Sequence, residues 1–258
     1  MNGLALQTYE MARRSVLQTL RQPAMIIPPI LFPLILMGIN VSGLDAATMI
    51  PGFPTESYLD FAIAFPFVQG ALFASINAGS AVARDVETGF LNRLALTPMQ
   101  RAAMLLGHLA GVMVVALISG VIYLAVGFAA GLHFESGPLG VVVLFLLALL
   151  IALAFASLGA FIGLRTGSGE AVQGVFPLFF VFLFLSSSSL PRDLIEHDWF
   201  RIVATWNPVS YLFEGLRSLI IFGWQAQALL LGFGFAAAIA LIGVVGSTNA
   251  LRTRLAAR

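Results

Sequence analysis

At residues 84–101 the chain reads Arg84-Asp85-Val86-Glu87-Thr88-Gly89-Phe90-Leu91-Asn92-Arg93-Leu94-Ala95-Leu96-Thr97-Pro98-Met99-Gln100-Arg101. This stretch holds three Arg and two acidic residues, whereas residues 65–82 before it and 102–132 after it hold no Asp, Glu, Lys or Arg. Because uncharged apolar segments of that length are typical of membrane spans, the stretch between them is expected to lie in water. The sequence therefore predicts a membrane body built around a polar loop.

Two helical signals lie within this loop. Residues 88–96 predict a short helix that carries Phe90, Leu91 and Leu94 on one side. Residues 97–100, with Thr, Pro and Gln in the order of a capping box, then predict the start of the next helix. A short amphipathic helix held between two spans can be pushed by a soluble partner.

The composition is that of a membrane protein. Hydrophobic residues make up 59% of the chain, charged residues only 10%, and the mean hydropathy is +0.97, whereas soluble domains contain about 25% charged residues. The absence of Cys excludes disulfides and thiol chemistry, and the absence of Lys excludes a P-loop lysine. The fold class predicted is an all-α membrane protein. Thirteen Arg without any Lys suggest a bacterial genome rich in G and C.

Six segments are long and apolar enough to span a membrane. They are approximately Ala24–Val41, Tyr58–Ala83, Pro98–Leu132, Pro138–Leu164, Ala171–Leu190 and Ala226–Val245. Residues 1–22 are too polar to span and are predicted to form an interfacial helix on the membrane surface. A signal peptide is the alternative, disfavoured by three prolines in the first apolar segment and by the lack of a small-residue cleavage site.

The distribution of Arg predicts the orientation. With the N-terminus inside, ten Arg fall on the inner side and three on the outer side, in agreement with the excess of positive charge that cytoplasmic loops carry. Both termini are therefore expected in the cytoplasm. The loop at residues 84–101 then lies on the inner side.

Residues 191–225 are predicted to form an outer re-entrant segment. Pro208–Gly223 is apolar, but it has only 16 residues and contains Glu214 and Arg217. If it spanned, the Arg-rich tail would lie outside. We therefore expect a helix that dips into the outer face and returns, with Glu214 and Arg217 paired at i, i+3.

Residues for catalysis or metal binding are not found in a usable arrangement. No ionisable residue lies near the middle of a predicted span, and the three His residues have no third-ligand pattern around them. For His108, a hydrogen bond between packed helices is favoured over a proton relay. Three Gly-x-x-x-Gly patterns, at residues 107–111, 127–131 and 159–163, are expected to let helices approach closely within the subunit.

Neutral polar residues and Phe clusters occupy two spans. Gln69, Ser75 and Asn77 lie on the second span and Gln173 lies near the inner end of the fifth, among Phe65, Phe67 and Phe73 on the second span and Phe176, Phe179, Phe180, Phe182 and Phe184 on the fifth. One interpretation is ordinary helix packing with hydrogen-bonded amides. The other is a Phe-lined cavity that suits an amphiphile. Both remain open at this point.

Several motifs together resemble the type-2 ATP-binding-cassette (ABC-2) exporter permeases, of the daunorubicin-resistance membrane-subunit kind. The similarity begins at residues 20–23, Leu-Arg-Gln-Pro, and includes residues 84–91 with 96–98. Its most specific block is residues 206–217, Trp-Asn-Pro-Val-Ser-Tyr-Leu-Phe-Glu-Gly-Leu-Arg, after the Ser run 186–189. Phe90, where a small or polar residue is commoner, and the four consecutive Ser depart from the family pattern.

The resemblance implies a single permease domain over residues 1–258, with six spans, that works beside a second, identical permease chain and two soluble ATPase subunits that bind ATP and Mg. The chain itself would be no enzyme, would have no cofactor or metal, and would lie in the bacterial plasma membrane in contact with lipids and not with nucleic acid. The substrate pathway would use Gln69, Phe73, Asn77, Gln173, Phe176, Phe179 and Phe180. The ATPase-coupling residues would be Asp85, Glu87, Gly89, Phe90, Leu91, Arg93 and Leu94. The outer signature would be Trp206, Asn207, Pro208, Tyr211, Glu214 and Arg217.

The expected function is export of a hydrophobic or amphiphilic compound. Export of a lipid-linked glycan or polysaccharide is the alternative of the same kind. A membrane scaffold or sensor without transport is the alternative of another class.

Overall fold

The computed structural model describes residues 3–91 and 101–256, and the described parts are helical. The helices are α1 (Gly3–Leu20), α2 (Pro23–Leu44), α3 (Tyr58–Ala62), α4 (Ala64–Glu87), α5 (Arg101–Ala129), α6 (Gly137–Thr166), α7 (Gly169–Phe184), α8 (Asp198–Trp206), α9 (Pro208–Arg217) and α10 (Ala226–Ala256). Short 3₁₀ turns at Asp45–Met49 and Arg192–Leu194 and a π turn at Ser218–Phe222 join them. We call the end of the bundle where α4 ends the inner end and the opposite one the outer end.

Five helical segments of the described chain are long and apolar enough to cross a membrane. They are Pro23–Met49, Tyr58–Glu87, Ala103–Ala129, Gly137–Thr166 and Ala226–Arg254. The prediction of six full-length spans is therefore not confirmed. The fifth predicted segment, Ala171–Leu190, is helical only to Phe184, and α7 has 16 residues. At 1.5 Å per residue a helix of that length covers about 24 Å, less than the hydrocarbon core.

Helix α7 stops early because the chain after it is held in an irregular conformation. The hydroxyl of Ser186 turns back to donate to the carbonyl of Leu183, and the amide of Ser187 donates to the hydroxyl of Ser210 on α9 instead of continuing the helix. Short hydroxyl side chains compete in this way with the helical hydrogen-bond ladder. Hydropathy does not report this competition, so the apolar segment looked longer than its helix.

The α4–α6 pair forms the centre of the bundle. A β-carbon on Gly159 would overlap the carbonyl oxygen of Ser75, and one on Gly163 would overlap that of Gly79. Glycine is therefore what allows these two backbones to touch, as small residues do in membrane helix pairs. The packing role expected for residues 159–163 is confirmed, and α10 packs on the other side of α6, where Ser247 donates to the Ser157 carbonyl.

The other two glycine patterns differ from each other. Gly107 and Gly111 face Met11 and Ser15, so they seat the amphipathic helix α1 against α5. In the pattern at residues 127–131, Gly127 faces the Ile63 side chain between α3 and α4, whereas Gly131 faces no neighbouring residue, which corrects the prediction for Gly131. Gly131 has open space around its α-carbon and φ of +93°, because it ends α5 in a left-handed turn.

Candidate functional site

A groove of about 350 Å³ opens between α2, α4 and α7. Its lining contains Phe73 and Asn77 from α4 and Gln173 and Phe176 from α7. These are four of the seven residues predicted for the substrate pathway. Prolines and aliphatic residues complete the wall, and none of the described residues that line the groove is ionisable. The groove therefore fits an apolar or amphiphilic molecule that needs few hydrogen bonds and no charge partner.

Aromatic contacts extend the groove wall along α7. The ring centroid of Phe176 lies 5.4 Å from that of Phe73 and 4.8 Å from that of Phe180, which in turn lies 6.4 Å from Phe32 on α2. Phe180 thus continues the wall toward the outer end. Phe179 faces the other way and makes an edge contact of 5.9 Å with Phe155 on α6.

Gln69 is not part of this groove. Its side chain is completely buried, and its amide oxygen and nitrogen have no hydrogen-bond partner among the residues that the structure describes. Gln69 and Phe179, which were also predicted for the substrate pathway, do not line this groove. Gln69 lies four residues before Phe73 and so shares its side of α4, but at its own level the side chain is completely covered by the protein.

Helix α2 is held by side chains that replace missing backbone donors. Pro29 and Pro33 have no N–H, so the carbonyls of Met25 and Pro29 lose their helical partners. Asn77 donates to the Met25 carbonyl at 3.0 Å, and the hydroxyl of Tyr123 donates to the Pro29 carbonyl. Asn77 therefore has a structural partner as well as a place in the groove wall. Sequence reasoning missed Tyr123, although a lone Tyr in an apolar span was a signal for such a bond.

Asp85 joins three helices at the inner end. Arg14 of α1 donates to both carboxylate oxygens at 3.3 Å, and Nε2 of His108 on α5 lies 2.7 Å from Oδ2. Nδ1 of His108 lies 2.8 Å from the carbonyl of Met104. The helix-packing hydrogen bond predicted for His108 is present. Asp85 is buried, so it does not offer its carboxylate to a soluble partner in this conformation.

The beginning of the polar loop is attached to the same cluster. The guanidinium of Arg14 lies 3.9 Å from the centre of the Phe90 ring, a cation–π contact. Gly89 has φ of +67° and turns the chain out of α4, as a glycine at a helix C-terminus does. Phe90 is half-buried and Leu91 is buried in the core, so Leu91 is not available as a docking residue. The predicted helix over residues 88–96 lies mostly outside the described residues, as do Arg93 and Leu94.

Glu87 connects the loop side to a different helix. One of its carboxylate oxygens lies 3.4 Å from the amide nitrogen of Gly169 at the start of α7. A carboxylate near a helix N-terminus is favoured by the helix dipole. The Glu87 side chain is exposed. The inner ends of α4 and α7, which form two walls of the groove, are therefore linked by an accessible contact.

Arg217 organises the outer end. Its Nε donates to the carbonyl of Phe61 at 2.9 Å, and its two terminal nitrogens donate to the carbonyls of Ser187 and Ser188. Its guanidinium also lies 3.4 Å from the centre of the Phe61 ring. These bonds satisfy the irregular backbone that follows α7, and Arg217 is only 4% exposed. Backbone at membrane depth is tolerated only when such partners are supplied.

The predicted Glu214–Arg217 pair is wrong. Glu214 pairs instead with Arg192, whose Nη2 donates to Oε2 at 2.7 Å. Arg217 is bound instead by backbone carbonyls, including that of Ser187, whose hydroxyl donates to Glu214. Burial raises the pKa of the Glu214 carboxyl, and the Arg192 guanidinium offsets part of that effect. These three residues line an outer cavity of about 330 Å³.

The other signature residues hold α8, α9 and the end of α7 together. Asn207 donates to the carbonyls of Phe182 and Leu185 at 2.6 and 2.9 Å, and its side-chain oxygen caps α9. Pro208 is the first residue of α9, and the Tyr211 hydroxyl donates to the Thr205 carbonyl. Trp206 is 84% exposed and contributes no such bond among the contacts described. The signature is thus mostly architectural.

Comparison with known proteins gives evidence for the family of the chain that does not depend on the contacts described above. Residues 6–221 match the family model described as ABC-2 type transporter. The chain is 24% identical over 172 residues to a daunorubicin resistance ABC transporter permease protein of Streptomyces coeruleorubidus, and the match covers 64% of this chain and 59% of that protein. It is 26% identical over 215 residues to a Cyanophora paradoxa protein named as a transport permease, and that match covers 83% of this chain and 73% of the Cyanophora protein. A Mycobacterium tuberculosis protein named as a doxorubicin resistance ABC transporter permease is 24% identical over 157 residues, 59% of this chain and 56% of that protein.

Proposed function

The chain belongs to the ABC-2 type transporter family, and from this premise we propose that it is the permease subunit of an ATP-driven exporter for a hydrophobic or amphiphilic compound. The groove between α2, α4 and α7 carries the proposal about substrate. Among the residues that the structure describes, Phe side chains and two amides line it, and no ionisable group does. Such a surface suits an apolar body with one or two hydrogen-bonding groups. The names of the relatives, which refer to resistance to daunorubicin and doxorubicin, are consistent with that class.

A soluble ATP-binding-cassette ATPase is the proposed source of energy. Two copies would act with two permease chains, and ATP and Mg would be bound by the ATPase. The decisive experiment is to express the chain together with a candidate ATP-binding-cassette ATPase, such as one encoded by a neighbouring gene, purify by a tag on the permease and measure ATP hydrolysis. We expect the ATPase to co-purify and its activity to rise with an amphiphilic substrate. Absence of both results would favour a scaffold or sensor.

The groove itself can be tested at Gln173, for which the structure describes no hydrogen bond, and at Phe176, whose ring contacts are with Phe73 and Phe180 of the groove wall. Gln173→Leu and Phe176→Ala should shift the substrate concentration for half-maximal stimulation by about threefold to thirtyfold, the equivalent of 0.6 to 2 kcal/mol. Leu146→Ala on α6, which removes an exposed apolar side chain outside the groove, is the matched control. Asn77 is less suitable because it also holds the Met25 carbonyl. Equal effects from all three variants would contradict the proposed pathway.

The polar loop after α4 is the proposed ATPase contact. Phe90 is the described apolar residue available for it, since Leu91 is buried. Phe90→Asp should reduce co-purification of the ATPase while the permease still inserts, because the loop lies outside the apolar segments. The control is Thr88→Ala, an exposed neighbour whose hydroxyl, within the described part of the chain, donates to the Arg84 carbonyl of its own helix. Wild-type ATPase binding by Phe90→Asp would remove this loop from the interface.

The proposed orientation places the inner end and both termini in the cytoplasm of a bacterial cell, with α7 as a sixth, shorter span. The chain has no Cys, so single Cys residues report accessibility without interference. Glu135 and Thr166 are exposed at opposite ends of α6. In intact cells an impermeant thiol reagent should label Glu135→Cys and spare Thr166→Cys. The reverse pattern would invert the topology.

A further inference from the structure

His108 lies between two hydrogen-bond acceptors. Its Nδ1 is 2.8 Å from the backbone carbonyl oxygen of Met104, and its Nε2 is 2.7 Å from the carboxylate oxygen Oδ2 of Asp85. A carbonyl oxygen has no proton to donate, and an ionised carboxylate has none either. A neutral imidazole carries a proton on only one of its two nitrogens. Either neutral tautomer would therefore press a lone pair of the ring against an oxygen lone pair at a hydrogen-bond distance.

The other groups around the cluster do not remove this conflict. Both distances from the ring are those of direct hydrogen bonds, so a water molecule cannot stand between a ring nitrogen and its oxygen. A cavity of about 20 Å³, lined by α1, α2, α4 and α5, lies beside the cluster. The charged or titratable residues of its described lining are Arg14, Asp85 and His108. The neighbouring charges that the structure describes on α1 and α4 are exposed, namely Glu10, Arg13, Arg84 and Glu87.

We propose that the Asp85–His108 pair holds one buried proton at neutral pH, so that His108 is an imidazolium between the two oxygens. Both ring N–H groups then donate, and the charge-assisted bond to Asp85 fastens α5 to α4. Arg14 donates to both carboxylate oxygens, which keeps the negative charge on Asp85 and the proton on the ring. The His108 and Asp85 side chains are only 9% and 11% exposed, so water has little access to the pair.

Through Arg14 the proton also acts on the polar loop. The Arg14 guanidinium shares Asp85 with the imidazolium and lies 3.9 Å from the centre of the Phe90 ring. When the proton leaves to water, Arg14 is the described cation that still faces Asp85, and the link between α4 and α5 weakens. Phe90, and Leu91 buried beside it in the chain, then become more accessible. The pH at the inner end thus regulates this loop, whatever the substrate or the ATPase.

Nitrogen NMR measures the proton directly. The chain has three His, so His133→Gln with His197→Gln leaves His108 as the single reporter. The full chain, labelled with ¹⁵N-histidine, is reconstituted into phosphatidylcholine vesicles. An ordinary His is only about one-tenth protonated at about pH 7.5. We expect more than half of His108 to show two protonated ring nitrogens at this pH. A main species with one unprotonated nitrogen would overturn the proposal.

Asp85→Asn is the matched variant for the NMR measurement. The amide group of Asn can donate to an unprotonated Nε2, so His108 should be mainly neutral in this variant at the same pH. An imidazolium that persists beside Asn would show that the proton does not belong to the pair, and would also overturn the proposal. The primary measurement keeps Asp85, so it does not depend on how well the variant folds.

Thiol labelling in detergent tests the effect on the loop, since the chain has no Cys. Leu91→Cys reports the buried position, and Thr88→Cys is the exposed control. When pH is raised from about 7 to 9, the labelling rate of Leu91→Cys relative to that of Thr88→Cys should rise severalfold. The same ratio in chains that also carry His108→Gln should rise clearly less, because that side chain does not titrate. Equal increases with and without His108 would refute regulation of the loop by this proton.

Discussion

Asp85 and Arg217 are buried charges at opposite ends of the segment Tyr58–Glu87, and they are neutralised in different ways. At the inner end Asp85 is bound by the side chains of Arg14 and His108, which come from two other helices. At the outer end Arg217 is bound by three backbone carbonyls, one from α3 and two from the chain after α7. One charge depends on side chains and the other on the path of the backbone.

The difference separates an adjustable contact from a fixed one. Side-chain partners can be exchanged or can move apart when a helix shifts, and Arg14 is partly exposed and contacts the loop through Phe90. Carbonyl partners cannot change without refolding the irregular segment that provides them. We therefore expect the inner cluster to take part in conformational coupling and the outer one to preserve architecture. Substitutions at the two ends should differ in size and in whether they can be rescued.

The largest effect is expected for Arg217→Met. The substitution keeps an apolar stem but leaves three carbonyls without donors, each at a cost of about 1 to 3 kcal/mol. The protein should be produced at low yield or melt at a much lower temperature in detergent. Arg217→Lys should restore only part of the stability, because an ammonium cannot reproduce the planar set of donors.

The control for Arg217→Met is Arg192→Met, which is also at the outer end. Arg192 binds a side chain, Glu214, rather than backbone carbonyls, so its loss should cost clearly less than that of Arg217. A thermal melt followed by size-exclusion chromatography measures both variants. Equal losses would show that the type of partner does not matter and would remove the distinction between fixed and adjustable contacts.

A medium effect, and one that can be rescued, is expected at the inner end. Asp85→Arg places two guanidinium groups and His108 together, and should disturb the seat of α1 on α5. The double variant Arg14→Asp with Asp85→Arg restores the pair and should recover most of the lost melting temperature. A double-mutant cycle should give a coupling of about 1 to 3 kcal/mol. A double variant no better than Asp85→Arg would mean that the carboxylate position itself is fixed.

The sequence was sufficient for the membrane class and the positions of five spanning segments, because hydropathy measures what lipid requires of a helix. It also placed four pathway residues around one groove. Prediction from the sequence failed where side chains compete with the backbone for hydrogen bonds. The Ser run ended α7 early, and Arg217 turned to carbonyls instead of Glu214. The residues whose carbonyls bind Arg217 lie 29 to 156 residues away from it in the chain. Spacing along one helix cannot reveal such contacts.

A smaller effect is predicted from the pKa of Glu214, which burial raises above its usual value. The carboxyl of Glu214 then binds a proton more readily in the folded protein than in the unfolded chain. Its contribution to the free energy of unfolding is therefore complete below the usual Glu pKa and is lost as pH rises through the higher pKa of the folded state. Glu214→Gln lacks this titration. The melting temperature of the original protein should therefore fall, relative to that of Glu214→Gln, when pH is raised from about 4 to 7. A difference that stays constant or widens in favour of the original protein would contradict the sign.

The smallest effects are expected for the exposed ion pairs, one at each end. Arg13 lies 3.9 Å from Glu10 on α1, and Arg201 pairs with Asp198 on α8, with Arg13 and Glu10 side chains 62% and 56% exposed. Water screens such pairs, so Arg13→Gln and Arg201→Gln should each change stability by about 0 to 1 kcal/mol. Arg13 is the direct neighbour of Arg14. Arg13→Gln and Arg14→Gln therefore compare an exposed and a partly buried arginine at almost the same place on α1. If Arg13→Gln weakened the protein as much as Arg14→Gln, net charge on α1 would explain the result, and the buried contact with Asp85 would lose its special role.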